Sequence, residues 1–163
     1  MLTSEQKSIL AALLSQAVEE IKQAHEGAKQ VASGRTRDSL AYEVTDQGGK
    51  ITGRFPFATL ETGRKAGNVP KGFVDIIKQW AKDKKIDIKP YKYKTDRPHK
   101  YTAEEAGLNR FAGAVAEKIK KSGTLLYREG GRKDIYTPAL DRLTDAIREQ
   151  ILANLAGEAV KRL

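Results

Sequence analysis

Apolar residues recur at steps of three and four from Ile9 through Leu10, Leu13, Leu14, Ala17, Val18 and Ile21 to Ala24. A stripe of that period lies along one side of an α-helix and cannot lie flat in a strand. Thr3 and Gln6 have capping-box spacing at its start, so the pattern predicts a helix from about residue 4 to residue 32. Gly27 is a weak point, and Ser33-Gly34 is the break. A second stripe, Leu140, Leu143, Ile147, Ile151, Leu155 and Val160, predicts a closing helix that runs almost to Leu163. Thr137 stands as its N-cap and Pro138 at its first position. Two long helices, each with one apolar side, need something to cover them.

Between them lies a different pattern. Residues 40–44 alternate apolar and polar side chains, Asp46-Gln47-Gly48-Gly49 reads as a turn, and residues 50–55 as a returning strand. Two strands alone are marginal in water, so this hairpin has to lie on a helix or extend a sheet. Phe73, Ile76, Ile77, Trp80 and Ala81 predict a helix from Pro70 to about Lys85. A capping box at Thr102 and Glu105 opens another, through Phe111 and Ile119 to Gly123. The expected fold is α+β over one domain, residues 1–163, with a basic loop inserted at about 87–101. Core packing is the expectation for Phe55, Phe57 and Trp80.

Charge narrows the function classes. The net charge is +9, and residues 64–133 hold 19 Lys/Arg against 8 Asp/Glu, a balance of +11. Such a segment suits an acidic partner, either nucleic acid or an acidic protein surface. Its densest part, 89–101, interleaves Lys89, Lys92, Lys94, Arg97 and Lys100 with Tyr91, Tyr93 and Tyr101. Lysines neutralise phosphates and aromatics stack on exposed bases; a solvated lysine-rich loop, poorly ordered or held by a partner, has the same composition. The chain has no cysteine, which removes disulfides, thiolate metal sites and a cysteine nucleophile. No apolar run reaches the ~20 residues of a membrane span, and Glu19 and Glu20 follow the Leu10–Leu14 run, unlike a signal peptide. Synthesis in the cytosol is the expectation.

Catalytic chemistry is sparse. His25-Glu26 is followed by Lys29 and not by the second histidine of a zinc-protease helix, so His25 is expected on a solvated helix face. His99 is expected at the surface of the basic loop. Residues 63–67 lack the Gly-Lys-Ser/Thr ending of a phosphate loop. Asp75 and Asp83 fall on one amphipathic helix, where metal-assisted cleavage would need converging carboxylates. The reading is therefore of a non-enzymatic protein without cofactor or metal.

Four stretches in order carry a resemblance. They are residues 33–40 (Ser33-Gly34-Arg35-Thr36-Arg37-Asp38-Ser39-Leu40), residues 57–63 (Phe57-Ala58-Thr59-Leu60-Glu61-Thr62-Gly63), the Pro70 helix with the later helix to Gly123, and residues 136–140 (Tyr136-Thr137-Pro138-Ala139-Leu140). Together they resemble the tail-completion or minor tail protein family of long-tailed bacteriophages, which includes the lambda-type minor tail protein Z. The chain departs from that pattern at Thr59 and Leu60, where the family has an aromatic, at Thr137, where it has arginine, and in its longer basic insertion. The resemblance implies a virion protein of the neck. It would be a homo-oligomeric ring, a hexamer by tail symmetry, joining connector and tail proteins. Gly34, Arg35, Arg37, Ser39, Leu40, Glu61, Gly63 and Pro138 would be its motif residues. From the residues themselves, Gly34 suits a left-handed helix end, the arginines can grip a carboxylate within the chain or on a neighbour, and Glu61 is one such carboxylate. A small DNA-binding protein acting through 89–101 is the rival reading.

Overall fold

A computed structural model describes the backbone of residues 1–95 and 97–161, and within that range all side chains except those at 151, 155, 156 and 158–161. The predicted stripe residues Ile151, Leu155 and Val160 lie outside the described side chains. The fold is α+β. The chain divides into two compact units: Met1–Glu61 with Arg132–Leu163, and Thr62–Gly131, the latter inserted into the former in sequence.

In the first unit, α1 (Ser4–Gly27) starts at the Thr3/Gln6 capping box, in which each residue's side chain accepts the other's backbone N–H. It ends at Gly27, five residues earlier than expected. Lys29 (φ 56°) takes the left-handed conformation that turns the chain away. The left-handed Gly34 (φ 79°) is instead the N-cap of a short helix, α2 (Arg35–Asp38). Next comes the hairpin, β1 (Ala41–Thr45) paired antiparallel with β2 (Gly48–Thr52), Thr45 facing Gly48. Its turn is Asp46-Gln47 alone, and both glycines belong to β2. Gly49 is there for proximity: a Cβ on it would come within 2.4 Å of Leu14 Cδ1, so only glycine lets α1 lie this close to the sheet. The hairpin thus rests on α1, as two lone strands must.

Phe55, expected to extend the strand, begins a 3₁₀ turn (Phe55–Ala58) that leads into α3 (Thr59–Thr62). The last helix, α7 (Thr137–Lys161), packs along α1. The core of this unit joins Val18, Ile21, Leu40, Ile135 and Ala139, with Ile51, Phe57, Leu60 and Tyr136 against it. His25 is part of the buried side of α1, 2% exposed, and not on a solvated face.

The second unit pairs α4 (Phe73–Asp83) with α5 (Ala103–Ser122). Helix α4 starts three residues after Pro70, at the left-handed Gly72, and Lys85 (φ 52) follows its end. The Thr102/Glu105 box opens α5 and Gly123 ends it. A one-turn helix, α6 (Leu125–Arg128), follows. Within this unit Ile77 and Ala81 are buried, whereas Trp80 is 39% exposed. No described helix is long and apolar enough to cross a membrane.

Candidate functional site

Three of the four sequence stretches meet around one buried carboxylate. Glu61 is only 3% exposed. Its Oε1 accepts the N–H groups of Ile135 (2.7 Å), Tyr136 (2.7 Å) and Thr137 (3.0 Å), and its Oε2 accepts the Thr137 hydroxyl. Helix starts leave N–H groups without intrahelical partners. Here a side chain from far away in sequence supplies them, and its charge sits at the positive end of the helix dipole. Pro138, lacking an N–H, leaves no further donor to satisfy at its position. Burial works to raise the Glu61 carboxyl, but the Thr137 hydroxyl and the N–H groups of Thr137, Ile135 and Tyr136 outweigh it and hold it below the ordinary range. Its backbone takes part as well, since Glu61 O accepts Arg132 N–H at 2.8 Å.

The other stretches close on the same place. Leu40 is buried in the cluster with Ile135 and Ala139. Ser39 Oγ donates to Thr36 O at 2.7 Å and accepts the Arg54 N–H at 3.0 Å, fixing the exit of β2. Arg37 does not reach Glu61. It pairs with Glu26 and with Asp38 (2.7 Å), and its hydrogen bond holds the Asp38 carboxyl down. Arg35 Nε donates to Ser33 Oγ at 2.9 Å. Gly63 belongs to the second unit. It is left-handed (φ 67°), and a Cβ there would lie 2.5 Å from Tyr127 N, so no other residue fits.

Phe55 overturns its expected role. Its side chain is 82% exposed, while Phe57, two residues on, packs on Tyr136 with ring centroids 5.3 Å apart. A 3₁₀ turn points residues two apart in different directions, so one aromatic anchors the turn and the other projects.

In the second unit the described residues of the basic segment 89–101 have no regular secondary structure, yet their rings are engaged. Tyr91 N–H donates to Ala103 O (2.8 Å), and the Arg110 guanidinium lies 4.8 Å over the Tyr91 ring. Tyr93 meets Tyr91 edge-on and stacks on His99 at 3.6 Å, while its hydroxyl donates to Tyr101 O (2.9 Å). Gly107 lets Lys89 O approach α5; a Cβ there would stand 2.6 Å from it. Lys89, Lys92, Lys94, Arg97 and Lys100 are exposed and enter no ion pair among the described residues. The unit boundaries sharpen the charge pattern. Residues 62–131 hold 17 Lys/Arg and 8 Asp/Glu, so this unit carries the whole +9, and the other unit, with 13 of each, is neutral.

Asp75 pairs with Lys78 (3.1 Å) and Asp83 accepts from Gln79 (2.8 Å), and no group of three metal-ligating side chains converges among the described residues. Comparison with protein-family models, curated proteins and solved structures finds no match to this chain.

Proposed function

We propose that this chain is a self-assembling structural protein of a long-tailed phage, placed in the neck or tail-completion region, where copies of it form a hexameric ring between connector and tail. The observation that carries this reading is the meeting of residues 33–40, 57–63 and 136–140 around Glu61. Stretches that look unrelated along the chain share one buried knot, which is what a motif set common to one fold requires. Large apolar side chains left at the surface, Phe55, Ile76, Trp80 and Leu125 among them, support contact with other subunits. The reading is of binding and not of catalysis.

Negative-stain imaging of the purified chain, together with immunodetection in virions released by the organism that encodes it, tests this. Annular particles and a virion signal are expected. A chain that is monomeric at its highest soluble concentration and missing from virions overturns it.

The concentration of all +9 charges in one unit favours a second reading, DNA contact through the exposed cations of 89–101. The engagement of Tyr91 and Tyr93 with Arg110 and His99 makes phosphate pairing the main chemistry of this reading, with the exposed Tyr101 as the ring open to a base. It requires affinity that falls steeply as salt rises; gel shifts without retention at low salt dispose of it.

A further inference from the structure

Phe55 is an exposed aromatic on a turn that is unusually well fixed. Ser39 Oγ holds the Arg54 N–H, Arg54 O accepts the Phe57 N–H at 2.9 Å, Pro56 restricts the backbone, and Phe57 is anchored on Tyr136. A side chain presented this way has little backbone entropy left to lose on docking, which is the condition for an efficient anchor. Leaving it in water costs apolar burial that any cover would recover.

The same unit contains a cleft of about 330 Å³ between α1 and α7. Its floor is apolar, formed by Leu13, Ala17, Leu143 and Ala146, and its rim has Glu20 paired with Arg142 at 2.7 Å, Asp145 at 3.5 Å from Arg148, and Glu149, three carboxylates against one lining arginine. Glu149 enters no ion pair among the described residues. Phe55 is 82% exposed, so it does not fill the cleft of its own chain. Arg54, the residue before it in the chain, is also exposed. An aromatic next to a cation therefore matches an apolar floor with an acidic rim, the pairing of core and edge found in protein interfaces. The neutral balance of this unit means that two copies of it meet without net repulsion, unlike two copies of the +9 unit.

We propose that Phe55 of one copy docks in the α1–α7 cleft of a second copy of this chain, with Arg54 against the Asp145/Glu149 rim. The proposal rests on the self-assembly reading for the identity of the partner. Knob and cleft are different surfaces, so the contact is heterologous and repeats from copy to copy, closing into a ring where the rotation allows.

The chain has no cysteine, which makes site-specific crosslinking clean. Full-length Arg54→Cys and Glu149→Cys chains are mixed under mild oxidation, with Glu43→Cys replacing the second as control. The expected result is a mixed disulfide dimer several-fold above the control, lost when Phe55→Ser is added to the Arg54→Cys chain. A yield no higher than the control, or one that Phe55→Ser leaves unchanged, overturns the docking. Phe55 is solvent-exposed, so Phe55→Ser keeps the circular dichroism of the parent. Imaging the parent and Phe55→Ser chains separates the two readings. Rings that persist in Phe55→Ser refute this contact and leave self-assembly standing. A specific crosslink without rings keeps the contact and removes the ring.

Discussion

Glu61 closes the first turn of a helix that begins 76 residues later, accepting the Ile135 N–H at 2.7 Å with the same oxygen that takes the next two. This carboxylate does the work that Thr137 was expected to do. The Thr137 hydroxyl turns to Glu61 as a donor, and the first helical bond runs from Leu140 N–H to Tyr136 O at 3.0 Å. The cap is therefore a tertiary contact, and both ends of the first unit depend on it.

Removing the cap exposes its worth. Glu61→Ala leaves buried N–H groups without an acceptor, so it is expected to destabilise the chain by about 3 kcal/mol, in the range for losing buried bonds to a charged group. Glu61→Gln keeps one acceptor oxygen and is expected to lose less, about 1–2 kcal/mol. Urea unfolding of the three chains measures both. An alanine variant as stable as the parent would mean that water replaces the cap without loss.

Acid should act through the same group. The folded state holds the Glu61 carboxyl below its unfolded value of roughly 4.3. Its ionised form therefore contributes stability that is fully present above that value and is lost as pH falls through the lower, folded one. The parent is expected to lose stability as pH falls below about 5 more steeply than Glu61→Gln, which has no proton to gain there. Asp38, Glu20 and Asp134, all held down by arginine partners, are present in both chains and cancel in the difference. Parallel stability curves for the two chains would rule Glu61 out as the source.

The basic segment offers a third test. Gly107→Ala places a methyl group 2.6 Å from Lys89 O, so either the segment or α5 must shift. Overpacking of this kind typically costs about 1–3 kcal/mol. The shift is expected at the segment, whose described residues form no strand or helix to resist it. Limited trypsin digestion should then cut at Lys92, Lys94 or Lys100 earlier than in the parent, while α5 keeps its hydrogen exchange protection. Unchanged cleavage would show that the contact with Gly107 does not hold the segment.

The four long helices and the hairpin were legible in the residues because their causes are local; the short helices α2, α3 and α6 were not. Steps of three and four made α1, α4, α5 and α7. The Thr3/Gln6 and Thr102/Glu105 boxes lie within one turn of their helices, and both form as read. The two glycines after Asp46-Gln47 marked the hairpin, although one of them serves Leu14 and not the turn.

Partnership was not legible. Nothing near Glu61 in sequence distinguishes a carboxylate that pairs with arginine from one that caps a helix 76 residues away. Equally, the pattern could not tell Phe57, which packs on Tyr136, from Phe55, which faces water, because a 3₁₀ turn and a strand differ in where they send residues two apart. His25, expected on a solvated face because no second histidine follows it one turn on, is buried. Covalent neighbours and side-chain period decide which segments become helices or strands, and those belong to the sequence. Which buried polar group satisfies which backbone donor depends on long-range closure of the chain, where an unmet hydrogen bond selects among many packings. Only the tertiary structure decided that.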